Sequence, residues 1–208
     1  MLCWIYLSFF HKFLKGGLES EDEKNASFCT LHVFLHTIVS CNGTDATLKS
    51  VLKNQTVLQD GRRLEQLINM EEAEFAAIDM DSDGTMEAVV QDLERVIVIY
   101  TQGEQAYTAE FTFRSMQNIL TDGSYSWTYT DAAGHWYGTS RLSLTQDGPE
   151  ETVLWKVKND GLPDAKYYWG GEEVSADELQ KHCGEYAADK AEFRPLTEEN
   201  ITAIFSGE

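Results

Sequence analysis

The chain has 208 residues and a formal net charge of −19, from 35 acidic and 16 basic side chains. So acidic a surface repels polyanions, which excludes nucleic acid as a partner and a bare anionic membrane as a docking surface. A hydrophobic fraction of 42%, 12% aromatic residues and three prolines describe a globular chain able to bury a core, not a collagen-like or low-complexity one.

Residues 1–41 read as an N-terminal extension. The apolar, aromatic stretch 1–14 is too short for a simple membrane-spanning helix, and an acidic run follows at 19–23. A second apolar stretch, 28–39, is interrupted by His32 and His36. It leads into Ile38-Val39-Ser40-Cys41, which resembles a bacterial lipobox. In that reading Cys41 receives the lipid, the mature protein begins there, and the anchor is its one route to a membrane. The competing reading makes 28–39 a buried element and Cys41 a plain thiol. The other cysteines, Cys3, Cys29 and Cys183, show no C-x-x-C pair and no metal-ligand spacing, so a disulfide scaffold is not expected.

The remainder, 42–208, reads as one domain. It opens with a helix over 45–53 that carries Leu48, Val51 and Leu52 on one face. Residues 75–78 and 88–90 are short apolar strands, and between them lies Asp79-Met80-Asp81-Ser82-Asp83-Gly84. Asp79, Asp81 and Asp83 occupy positions 1, 3 and 5 of a cation loop. Gly84 supplies the sharp turn at position 6, the Thr85 carbonyl falls at position 7 and Glu87 at position 9. An oxygen-only set of this kind suits Ca²⁺. An EF-hand places a bidentate glutamate at position 12, which here is Val90. The loop instead resembles the strand-loop-strand form of FG-GAP repeats, for which an affinity on the order of 10⁻⁴ to 10⁻³ M is expected, as in extracellular modules. Because no histidine or lysine lies nearby in sequence, the ion is expected to be structural. The bland alternative is a solvated acidic turn, but four carboxylates in nine residues repel one another unless a cation screens them.

Strands continue at 95–101, 106–114, 125–129, 137–145 and 152–158, with turn signals at 102–104, Asp122-Gly123 and Asp147-Gly148-Pro149. The chain then turns helical. Ser175 and Glu178 form a capping box with Val174 and Leu179 as a hydrophobic staple; Thr197 caps a second helix with Leu196 and Ile201 placed likewise. The expected class is α+β: an antiparallel meander of about six to eight strands flanked by an N-terminal helix and two C-terminal helices. No internal repeat is visible, which excludes a propeller.

From about Leu48 onward the order of features resembles a family of uncharacterised secreted proteins and lipoproteins of Gram-positive gut bacteria. The resemblance rests on the F-A-x-x-D-x-D-x-D-G-x-x-E loop, Phe113-Arg114-Ser115-Met116, the Leu-x-x-Asp-Gly turn at 120–123, the stretch YYWGGEEVS at 167–175 and the closing TEENI at 197–201. It implies export and calcium binding, without an assigned activity.

The functional expectation is a non-catalytic, extracytoplasmic calcium-binding surface or secreted module whose ligand the sequence leaves unknown, with a glycan or a protein as the candidates. Tyr125, Trp127, Tyr129, Trp136 and Tyr137 are candidates for stacking against such a ligand, against the plainer reading that alternating aromatics fill a core. The alternative is a secreted hydrolase with a structural calcium. His135 and Ser140 are near in sequence, but G-x-S-x-G, H-E-x-x-H and Cys–His signatures are absent. Of the N-x-S/T triplets at Asn25, Asn42, Asn54 and Asn200, none carries an expectation of glycosylation in a bacterial protein.

Overall fold

A computed structural model describes residues 45–185 and 188–205, all within one compact unit, Cys41–Glu208. Cys41, read above as a lipidation site, lies outside the described residues, as does Tyr186, which the helical spacing from Leu179 and Cys183 puts on one face. The class is α+β. Ten antiparallel strands divide equally between two sheets, with helix α1 (45–52) before them and helices α2 (Ala176–Glu185) and α3 (Glu198–Phe205) near the end. No helix among the described residues is long and apolar enough to cross a membrane.

The first sheet runs in the order β10 (Arg194–Pro195), β1 (Glu74–Ile78), β2 (Glu87–Gln91), β3 (Arg95–Gln102), β4 (Gln105–Thr112). Its strand β3, an interior strand between β2 and β4, reads VIVIY without polar interruption because both of its faces are covered. Ile97 and Ile99 point one way, with Phe75, Ala88 and Val90, against Leu48, Val51 and Leu52 of α1 and Ile201 of α3. Val96, Val98 and Tyr100 point the other way, with Ala76, Ile78 and Val89, against the second sheet.

That second sheet runs β5 (Tyr125–Asp131), β6 (Gly134–Thr145), β7 (Gly148–Lys158), β8 (Lys166–Trp169), β9 (Glu172–Val174). Tyr125, Trp127, Leu142 and Leu144 fill the space between the sheets. Gly138 lies opposite Trp127 in the β5–β6 register, and a Cβ on it would stand 2.7 Å from the indole ring, so only glycine lets the ring lie over β6. The indole N–H donates to the buried Ser140 hydroxyl at 2.7 Å. The caps form as the sequence predicts: the Ser175 and Glu178 side chains exchange bonds with each other's backbone N–H, and Thr197 Oγ1 accepts the Asn200 N–H. Gly170-Gly171 forms the β8–β9 turn, with Trp169 closing β8.

Candidate functional site

The β1–β2 hairpin carries the aspartate-rich loop at its tip. Register pairs Ile78 with Glu87, and both side chains therefore point to the face that packs on the second sheet. This pleat parity buries a carboxylate: Glu87 is 3% exposed. Its Oε2 accepts the N–H of the fully buried Met80 at 2.7 Å.

The loop closes on its own carboxylates. Asp79 Oδ1 accepts the Asp83 N–H at 3.1 Å and Oδ2 the Gly84 N–H at 3.0 Å, which brings the fifth and sixth loop residues round to the first. Gly84 has φ +88°, the left-handed conformation expected at that position, and Ser82 also takes a positive φ of 65°. Asp81 Oδ1 accepts a second bond from the Asp83 N–H, while its Oδ2 accepts the Leu144 N–H of β6 at 3.2 Å. The loop is thereby tied to the second sheet across 63 positions of chain.

One oxygen from each of Asp79, Asp81 and Glu87 lies within 4.8 Å of the others, a grouping able to hold a metal ion. Asp83 is outside that group; its Oδ1 accepts the Thr85 N–H at 2.6 Å. None of the four loop acids takes part in an ion pair among the described residues. The electrostatic consequence falls on Glu87. Burial pushes its carboxyl from the ordinary value of 4.5 up to about 8, and the charges of Asp81, Asp83 and Asp79 push in the same direction. Asp81 is also raised, first by burial and then by its acidic neighbours. Burial and like charge thus both disfavour a bare, ionised Glu87.

The other candidate residues separate. Tyr125 and Trp127 belong to the core, whereas Tyr129 is 48% exposed and Trp136 is half-buried. Tyr137 faces away from them and donates to Asp160 Oδ2 at 2.9 Å. Ser140 is spent on Trp127, and the exposed His135 pairs with Thr130 Oγ1 at 3.0 Å, so the two do not form a nucleophile–base pair. Sequence reasoning missed two backbone braces of the loop, Leu144 and Gly123. Gly123 was visible as half of an Asp-Gly turn, but its contact with the loop had no signal in the sequence.

Comparison with protein-family models, with curated proteins and with solved structures finds no match for the chain.

Proposed function

We propose that this domain is a non-catalytic, extracytoplasmic binding module whose β1–β2 loop takes up a structural Ca²⁺, in the manner of the secreted proteins and lipoproteins it resembles. The observation that carries the reading is the convergence of Asp79, Asp81 and the buried Glu87 in a D-x-D-x-D-G loop, none of them in an ion pair among the described residues. A hard divalent cation is the partner that carboxylate oxygens at this spacing favour. Asp83 and the Thr85 carbonyl complete the proposed ligand set. An affinity on the order of 10⁻⁴ to 10⁻³ M, the range expected for such a loop, would fill the site at extracellular calcium, and the module is accordingly placed outside the cytoplasm.

The test is a thermal melt of the full chain with calcium and with chelator. Calcium raises the melting temperature, because by linkage it stabilises the folded state by about 2.7 kcal/mol at a hundredfold excess over Kd. Asp81→Ala abolishes the rise. Coincident melting curves for the wild-type chain in calcium and in chelator would remove the metal from this reading.

A further inference from the structure

The geometry points to a second site on the inner face of the second sheet, beyond the edge of the core, that takes an acidic oligosaccharide. This inference rests on the reading of the domain as a binding module but not on its calcium.

Cross-strand register puts Tyr129 opposite Trp136, Trp136 opposite Lys158, and Lys156 opposite Tyr168, all on one face. The rings follow one another from the buried Trp127 outward: Trp127 to Tyr129 at 5.5 Å, Tyr129 to Trp136 at 6.2 Å, Trp136 to Tyr168 at 6.3 Å, with interplanar angles of 22°, 18° and 29°. The Lys156 ammonium stands 5.4 Å from the Trp136 ring centre and 5.3 Å from that of Tyr168; Lys158 stands 5.7 Å from Trp136. Neither lysine has a carboxylate partner in any ion pair of the described residues.

Charge makes this face unlike the rest of the molecule. In a chain with 35 acidic residues, the five register positions Tyr129, Trp136, Lys158, Lys156 and Tyr168 carry none, and Asp131 and Glu173 stand at the two ends of the row. Of these two, only Glu173 is balanced by a cation, while Asp131 keeps its charge but is turned to its own loop. The Asp131 side chain accepts the Ala133 and Gly134 N–H groups, and Glu173 pairs with Lys166. Trp136 Nε1 is buried without an acceptor, an uncompensated donor in the middle of the patch.

The exposed ring of Tyr129, at the end of the stacked row, offers a sugar apolar C–H contact, and the two ammonium groups held over Trp136 and Tyr168 offer a carboxylate charge-assisted donors in place of water. A short uronate chain matches both. A long polyanion is disfavoured, because the surrounding charge of −19 repels it at any distance beyond local screening. An acidic peptide would satisfy the lysines but leave the rings without a matching surface.

The experiment follows tryptophan fluorescence of the full chain during titration with a galacturonic acid trimer, the neutral galactose trimer and a triglutamate peptide. The expected result is saturable quenching by the uronate trimer and binding at least about tenfold weaker for the other two probes. Lys156→Gln with Lys158→Gln weakens uronate binding by a similar factor while near-ultraviolet circular dichroism stays unchanged. Should that pair disturb folding, Tyr129→Ala, at the exposed ring, serves the same purpose. Absence of quenching, equal binding of the neutral trimer, equal or tighter binding of the peptide, or indifference to the substitutions would each overturn the inference. None of these touches the calcium response, which fails or stands by its own melt.

Discussion

Gly123 lies so close to Met80 that a methyl group on it would stand 2.6 Å from the Met80 carbonyl oxygen, and equally near that of Asp79. The Asp122-Gly123 turn thus presses on the first two residues of the acidic loop, and φ of +79° at Gly123 adds a conformational requirement to the steric one. Asp122 holds the turn in place through an ion pair with Arg141 at 2.8 Å.

Two glycines of similar backbone conformation should consequently respond differently to alanine. At Gly84, φ is +88° and nothing lies within 4 Å of an added Cβ, so Gly84→Ala costs about 1 kcal/mol of backbone strain. Gly123→Ala must also displace the carbonyls of Asp79 and Met80, and should cost more than about 2 kcal/mol and blunt the calcium response. Urea unfolding of both variants, with and without calcium, measures this; equal losses would show that the contact at Gly123 yields without cost.

The metal-free protein should lose stability as the pH rises. With its carboxyl raised from 4.5 to about 8, folded Glu87 retains a proton that the unfolded chain has released. Between those values the native state binds more protons than the unfolded state, so unfolding becomes easier with each step upward in pH. Below about 4.5 both states are protonated and this contribution is constant. Denaturant titrations in chelator from pH 5 to pH 8 should show the decline, and Glu87→Gln should flatten it. Calcium, which takes the place of the proton, should bind more tightly toward pH 8. A slope unaffected by Glu87→Gln would assign the effect to other groups.

Ser140 offers a test of the inter-sheet core. Its hydroxyl is the acceptor for the Trp127 indole N–H, and both residues are buried. Ser140→Ala leaves that N–H unpaired and should cost about 1–3 kcal/mol, whereas Ser143→Ala, exposed on the same strand, should fall within about 0.5 kcal/mol of wild type. Urea unfolding of the pair separates the two cases.

Much of the local structure was legible in the residues. The spacing of Asp79, Asp81, Asp83 and Gly84 gave the loop, and the capping pairs gave α2 and α3, because both signals lie within a few positions of one another. Alternation correctly put Tyr125, Trp127 and Tyr129 on one face. It carried no information about where the facing sheet ends, and so could not tell the buried Tyr125 from the half-exposed Tyr129. The division of ten strands between two sheets was illegible for a related reason. A meander of hairpins reads alike whether it continues in one sheet or breaks after β4, as it does here. Strand β10, two residues long and paired with Glu74 and Phe75 from the other end of the domain, has no local signature at all.

The bond from the Leu144 N–H to Asp81 has a thermodynamic consequence of its own. Because a proposed ligand is shared between the loop and the opposing sheet, ion uptake and sheet docking are reciprocal: each strengthens the other by the same free energy. Substitutions that loosen the packing of Leu142 and Leu144 would then weaken calcium binding without touching a carboxylate. The apparent affinity for the ion becomes a gauge of how firmly the two halves of the domain are closed on each other.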